Sequence, residues 1–182
     1  NAINGYLELI NFVDTNFGEN SILKLELLNN LGFEYGALKD NKNALKYYLS
    51  SLKLAKKFNQ KRNLVTSTMN AGDIYFWTGD YKKSNEYYKQ ALEIIDFSSQ
   101  KTQIYLYAGL SKTETILGNY DQALAYGNIG LKIAKNFHGV NHPSNLQLLD
   151  SLALVNGYKK NYDKKFQNLT DIYNIINDYS KG

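Results

Sequence analysis

The stretch NAGDIYFWTGDYKKSNEYYKQAL, Asn70–Leu92, contains two helical patterns joined by one turn. Gly72 and Tyr75 precede the Gly79-Asp80 turn, and Tyr88 follows it on the second pattern. Small and apolar residues recur at steps of three and four, which predicts an amphipathic helix on each side of the turn. Glycine and aspartate are residues that tight turns favour. The stretch therefore predicts an antiparallel helix pair.

The same pattern recurs along the whole chain of 182 residues. If Ala2, Ala44, Ser84, Ala123 and Lys165 are equivalent, the intervals between them are 42, 40, 39 and 42 residues. One helix pair cannot bury its apolar stripe alone, so neighbouring pairs must stack. The repeat predicts an all-α fold of stacked antiparallel helix pairs, with about nine helices.

We expect a single solenoid over 1–182 that begins with an orphan second helix of a preceding repeat, residues 1–17. The predicted helix-pair repeats follow at 20–58, 62–98, 101–137 and 143–180. Both ends of the array should present apolar surface, for example through Ile175 and Tyr179 on the last helix. We therefore expect the chain to be a fragment of a longer protein, or chains to associate end to end.

The repeated residues resemble the tetratricopeptide repeat, whose pattern is matched by Leu31-Gly32 and Tyr35, by Gly79-Asp80-Tyr81 and by Ala91-Leu92. The usual unit has about 34 residues, so these longer units resemble those of bacterial peptide-sensing and signalling proteins of this family. The resemblance implies a right-handed α-solenoid with first helices lining a concave channel. It also implies that the channel binds an extended peptide or a partner helix.

Side chains of the first helices that face away from the packed stripe are the binding candidates. Asn30 and Asn70 occupy equivalent positions in adjacent units, and a carboxamide both donates and accepts hydrogen bonds. The resemblance implies that such asparagines hold the backbone of a peptide, although asparagine is also abundant throughout this chain. Trp77 is either a groove anchor or the residue that closes its helix against Tyr81. The full set of candidates is Asn29, Asn30, Phe33, Thr66, Met69, Asn70, Asp73, Trp77, Tyr105, Lys112, Gln147 and Asp150.

The charge pattern argues against nucleic acid as a partner. The net charge is +4, but Arg62 is the only arginine, and readers of phosphate and guanine rely on the bidentate guanidinium. The lysines predict a solvated surface. No apolar run approaches the roughly 18 residues that span a bilayer, so we expect no membrane insertion of this segment and a cytoplasmic location.

The sequence lacks the usual groups of catalytic and metal sites. It contains no cysteine, and its only histidines, His138 and His142, lie beside Pro143 in a predicted loop. Two histidines without a third ligand do not make a zinc site, and no phosphate-binding glycine loop is present. We expect no enzyme activity, no cofactor and no metal.

Two functions remain open at the level of the sequence. The first is a non-catalytic domain that binds a protein or peptide in its channel as an adaptor or sensor module. The alternative is an intramolecular regulatory segment of a larger signalling protein (kinase, protease or DNA-binding regulator) that acts by changing shape. Gly127 and Gly130 in one helix predict a soft third unit, either a hinge or a degenerate repeat.

Overall fold

The computed structural model describes residues 2–95 and 99–180, and this part of the chain is all α-helical apart from turns and one short 3₁₀ helix. The predicted all-α repeat class is confirmed. The helices are α1 (Ala2–Phe17), α2 (Lys24–Ala37), α3 (Asn41–Lys57), α4 (Lys61–Trp77), α5 (Tyr81–Ile94), α6 (Gln100–Ile116), α7 (Tyr120–His138), α8 (Leu146–Tyr158) and α9 (Tyr162–Tyr179), with the 3₁₀ helix at Pro143–Asn145. Residues 96–98, which we placed in the pair 62–98, lie outside the described residues.

The chain divides into two compact units, residues 1–95 and 96–182. In the first unit, each helix from α1 to α5 packs against the next, and α2 also contacts α4. In the second unit, α6, α7, α8 and α9 pack in the same sequential way, and α6 also contacts α8. Contacts between consecutive helices and between alternate ones are what a stack of helix pairs requires.

The turn inside each helix pair has the same geometry in all four copies. Lys39, Gly79, Gly118 and Lys160 occupy equivalent positions, and all have positive φ, between 58° and 84°. The backbone N–H of the following residue donates to the carbonyl oxygen five residues earlier, at 2.8–2.9 Å in each turn. The predicted turn at Gly79-Asp80 is therefore present, and in two copies a lysine adopts a conformation that glycine adopts with less strain.

Two of these turns carry an aspartate that caps the second helix. Asp40 accepts a hydrogen bond from the backbone N–H of Asn43 at 3.1 Å, and Asp80 accepts one from that of Lys83 at 3.2 Å. The side-chain and backbone hydrogen bonds from Asn43 lower the pKa of Asp40. The backbone and side-chain hydrogen bonds from Lys83 lower the pKa of Asp80. Both carboxylates are thus held charged where the helix N-terminus favours an anion.

The two glycines of α7 lie where α8 packs closely, and the softness that we expect of the third unit stays a prediction. A Cβ atom at Gly127 would lie 2.7 Å from Leu152 Cδ2, and one at Gly130 would lie 2.7 Å from Leu148 Cδ2. Leu148 and Leu152 belong to α8 and are buried. The absence of side chains at both positions lets α8 approach the backbone of α7, so the glycines serve close packing.

The outer faces of α1 and α9 expose several large apolar side chains. Phe12 and Phe17 on α1 and Tyr173 and Tyr179 on α9 are each at least 57% exposed. Ile175, which we expected at the surface, is buried, on a helix that packs against α8. End-to-end association through the exposed residues stays a prediction.

Candidate functional site

A groove of about 550 Å³ lies in the first unit between α2, the start of α3, and α4; we call it the α2–α4 groove. Side chains from both first helices and from the turn between α2 and α3 form its walls. Its lining residues are Phe33, Gly36, Ala37, Lys39, Asn41, Tyr48, Asn70, Asp73, Ile74 and Trp77. The volume lies within the range of about 300–1,000 Å³ that is typical of ligand sites.

A glycine on each first helix lets a tyrosine ring of the following helix pack against its backbone. A Cβ atom at Gly32 would lie 2.8 Å from the ring of Tyr48, and one at Gly72 would lie 3.0 Å from the ring of Tyr88. Each tyrosine ring therefore rests directly on the backbone of the preceding helix. The buried Tyr48 side chain is part of the lining of the groove.

The polar part of the groove centres on Asp73. The hydroxyl of Tyr88 donates a hydrogen bond of 2.6 Å to Asp73 Oδ1. Burial, together with the nearby negative charge of Asp73, raises the pKa of Tyr48 to about 12. Tyr48 consequently stays protonated at neutral pH, and the lining carries one carboxylate, Asp73, and one amine, Lys39.

The apolar part of the groove is formed by two exposed aromatic residues. Phe33 on α2 is 66% exposed, and Trp77 at the end of α4 is 72% exposed. The ring that packs on Tyr81 is that of Phe76, at 5.4 Å between centroids, and Trp77 lies edge-to-face on Phe76 at 5.7 Å. Trp77 thus lines the groove, as the anchor interpretation requires.

Four of the twelve candidates come together in this groove: Phe33, Asn70, Asp73 and Trp77. Asn30, Thr66 and Met69 lie on the same two helices but not in the lining. Asn30 is exposed, and Thr66 Oγ1 donates to the carbonyl oxygen of Arg62 in its own helix at 3.0 Å. The pair of equivalent asparagines is therefore not brought together in one site.

Asn29 is a core residue and is removed from the set of candidates. Its Nδ2 donates to Ser51 Oγ and to Ser67 Oγ, each at 3.0 Å, and Ser67 Oγ also donates to Ser51 Oγ at 3.0 Å. Ser51 Oγ donates in turn to the carbonyl oxygen of Leu25. This buried cluster joins α2, α3 and α4, so Asn29 faces the neighbouring repeat and not the groove.

We expect Asn29→Ala to lower the free energy of unfolding by about 1–2 kcal/mol, because buried serine hydroxyls lose a hydrogen-bond partner. Urea denaturation followed by circular dichroism measures this change. Asn30→Ala is the matched control, since the adjacent side chain is exposed and its change should stay within about 0.5 kcal/mol. Equal effects of the two substitutions would contradict the structural role of Asn29.

Sequence reasoning missed the lining residues that come from the turn and from the second helix. Lys39 lies in the turn, Asn41 begins α3 and Tyr48 lies farther along α3, and none of the three is among the twelve candidates. The positive φ of Lys39 and the contact between Tyr48 and Gly32 place these residues in the groove. The repeated Gly32–Tyr48 and Gly72–Tyr88 spacing of sixteen residues was the signal that could have identified Tyr48.

Comparison with known proteins identifies the repeat. Residues 23–96, which include every lining residue of the α2–α4 groove, match the family model of the tetratricopeptide repeat. Residues 23–96 therefore carry the tetratricopeptide repeat (TPR) pattern.

Similar proteins include regulators and other TPR-like proteins. Response regulator aspartate phosphatase I of Bacillus subtilis (strain 168) is 29% identical over 114 residues, which are 63% of this chain and 29% of that protein. The chain therefore spans less than a third of the length of this curated relative. The apo form of RapI superposes with a TM-score of 0.87 at 16% identity, over 98% of this chain and 64% of RapI. A Podosopora anserina protein described as a kinesin light chain with nearly identical TPR-like repeats gives a TM-score of 0.77 at 14% identity, over 99% of this chain and 88% of that one.

The remaining candidates lie on helices of the second unit. Tyr105 and Lys112 are on α6, and Gln147 and Asp150 are on α8. Tyr105, Gln147 and Asp150 are exposed, and Lys112 is half-buried. None of the four lines the α2–α4 groove.

The two histidines stack on each other in the loop between α7 and α8. Their ring centroids are 4.3 Å apart with an angle of 12° between the planes. His142 Nδ1 accepts a hydrogen bond from the backbone N–H of Ser144 at 3.1 Å. Burial is the main cause that lowers the pKa of His138, and the nearby His142 and Lys101 lower it further. Within residues 2–95 and 99–180, no three histidine or acidic side chains are grouped to hold a metal ion.

We expect the stability of the chain to fall when the pH is lowered through about 6.5. The unfolded chain takes up a proton at His138 near its ordinary pKa of 6.5, whereas the folded chain does so only at lower pH. The stabilisation is therefore complete above pH 6.5 and decreases between that value and the lowered folded pKa. Urea midpoints between pH 5 and pH 8 should show a smaller acid-side decrease in His138→Gln. An unchanged decrease in that variant would contradict the assignment to His138.

No helix in the described parts of the chain is both long and apolar enough to cross a lipid bilayer.

Proposed function

We propose that the α2–α4 groove binds an extended peptide or a helix of a partner protein. The observation that carries this proposal is the clustering of two exposed aromatic rings with a carboxamide and a carboxylate in one open groove: Phe33, Trp77, Asn70 and Asp73. Aromatic residues of this kind account for much of the binding energy at protein interfaces. The TPR identity of residues 23–96 supports the same function.

The groove offers different chemistry to the side chains and to the backbone of a ligand. Phe33, Ile74 and Trp77 would contact an apolar ligand side chain. The Asn70 carboxamide would accept from a peptide N–H and donate to a peptide carbonyl, which fixes a backbone without selecting its side chains. Asn30, Thr66 and Met69 would extend the contacts along α2 and α4, and the candidates of the second unit would add contacts of their own.

Peptides that bind the whole chain can be selected from a displayed random library, and crosslinking of these peptides would test this proposal. A photo-crosslinking amino acid at Ala37, which is exposed and lines the groove, should capture the selected peptides. The same amino acid at Ala125, an exposed alanine of α7, is the control and should capture little. Crosslinking of equal yield at both positions, or at neither, would reject the groove as the binding site.

A regulatory segment of a larger signalling protein is the second candidate, and the relative named as a response regulator aspartate phosphatase favours it. In that role, ligand binding should change the arrangement of the helices of the first unit. Because the sequence has no cysteine, spin labels at Glu8→Cys and Gln90→Cys would report a single distance between α1 and α5. A shift of several ångströms on addition of a selected peptide would favour regulation, and an unchanged distance would favour an adaptor.

A further inference from the structure

A second, smaller cavity of about 190 Å³ lies in the second unit between α7, α8 and α9. It is independent of the α2–α4 groove. Its polar lining contains four carboxamide side chains and one amine, and its walls include Leu124 and Leu152. The five polar residues are Asn128, Asn156, Lys164, Gln167 and Asn168.

The cavity arises from a substitution within the repeat. In the first unit, Tyr35 stacks on Tyr47 at 5.4 Å between centroids, and the equivalent Tyr75 packs on Tyr87 at 5.2 Å. In the last helix pair, the equivalent positions are Asn156 and Asn168, which follow the same intervals along the chain. Two short carboxamides replace two aromatic rings, and the space that the rings would fill remains open to solvent on one side.

The buried carboxamide of Asn156 has an unused acceptor. Asn156 is only 4% exposed. Its side-chain Nδ2 donates a hydrogen bond to Asn168 Oδ1 at 3.1 Å. Its Oδ1 is buried and accepts no hydrogen bond from the residues that the structure describes. Buried polar atoms of native proteins are almost always paired, so this oxygen marks a position where a hydrogen-bond donor belongs.

We propose that this cavity binds a carboxamide group from a ligand or partner chain. The N–H of that group donates to Asn156 Oδ1, and its carbonyl oxygen accepts from Lys164 Nζ. A carboxylate cannot supply the donor, and the positive charge of Lys164 disfavours a cation. Leu124 and Leu152 contact the aliphatic part of the ligand. The group comes either from an asparagine or glutamine side chain or from a peptide bond.

Small amides titrated into the whole chain, followed by two-dimensional ¹H–¹⁵N NMR, would test the proposal. Acetamide represents the side-chain amide, and N-methylacetamide represents the peptide bond. We expect saturable shifts that are confined to the lining residues of α7, α8 and α9, with a dissociation constant on the order of 10 mM for so small a ligand. The tighter binder of the two identifies the source of the group. Acetone, which accepts but has no N–H, should bind at least tenfold more weakly.

Two variants separate binding from folding. Asn156→Tyr combined with Asn168→Tyr rebuilds the ring pair of the first unit, so it should abolish the amide shifts while the spectrum stays dispersed. Lys164→Met leaves the buried pair intact and should weaken amide binding at least threefold. The proposal is overturned if acetone and the amides shift the same signals equally, if the shifts do not saturate, or if Lys164→Met binds the amides like the wild type.

Discussion

The double substitution Gly127→Ala and Gly130→Ala lowers the free energy of unfolding by about 2 kcal/mol, because overpacking costs about 1–3 kcal/mol at each site. Helix propensity alone predicts the opposite result, since replacing glycine by alanine inside a helix gains about 1 kcal/mol per site. The sign of the measured change therefore decides between packing and propensity as the reason for these glycines.

Packing prevails because the atoms that the new methyl groups would meet cannot move away easily. A Cβ atom at Gly130 would lie 2.8 Å from Tyr107 Cβ, which is bonded directly to the backbone of α6. A Cβ atom at Gly127 would lie 2.7 Å from Leu152 Cδ2 and 3.0 Å from Ser111 Oγ. Relief at both positions requires α7 to shift away from α6 and α8, with loss of contact along the whole interface.

Urea denaturation followed by circular dichroism measures the effect. Gly5→Ala in α1 is the matched control, because apart from its chain neighbours and the backbone of its own helix nothing lies within 4 Å of the Cβ it would introduce. That substitution should stabilise the chain by up to about 1 kcal/mol. A double variant of α7 that is as stable as Gly5→Ala would show that the two glycines are not required by packing.

We expect Trp77→Ala to weaken the binding of a library-selected peptide by about 30-fold, which corresponds to about 2 kcal/mol of binding free energy. Trp77 combines a large apolar surface in the groove with 72% exposure in the unliganded chain. A ligand that covers this ring removes much apolar surface from water. The same exposure means that the substitution removes few core contacts, so stability should change by less than about 1 kcal/mol.

Isothermal titration calorimetry with one selected peptide measures the affinity. Tyr173→Ala on α9 is the control, since this ring is 66% exposed and lies outside the groove, and its affinity should stay within about twofold of the wild type. Trp77 is the only tryptophan, so the wild-type emission should also shift to shorter wavelength on binding. Equal losses of affinity in the two variants would contradict the anchor role.

The sequence predicted features that depend on the repeat itself. The forty-residue interval, the turn residues such as Gly79, and the close approach at Gly32 and Gly72 all follow from patterns that recur at fixed spacing. Four lining residues of the groove were found in the same way, because an amphipathic pattern identifies the side of α2 and α4 that does not pack.

The features that the sequence did not predict depend on partners that are distant along the chain. Asn29 lies at the edge of the apolar stripe. Its burial depends on hydrogen bonds to Ser51 and Ser67, which come 22 and 38 residues later in the chain. Gly127 and Gly130 look like weak points of a helix until Leu148 and Leu152 are known to fill the space beside them. Such contacts are set by packing between helices, which overrides local propensity.

Hydrogen–deuterium exchange of the whole chain, with and without a selected peptide, tests the α2–α4 groove as the binding site most directly. We expect slower exchange in residues 33–41 and 70–77, which contain all lining residues of the groove except Tyr48, and little change in α7, α8 and α9. Slower exchange confined to the second unit or to α1, at a peptide concentration that saturates binding, would contradict the claim.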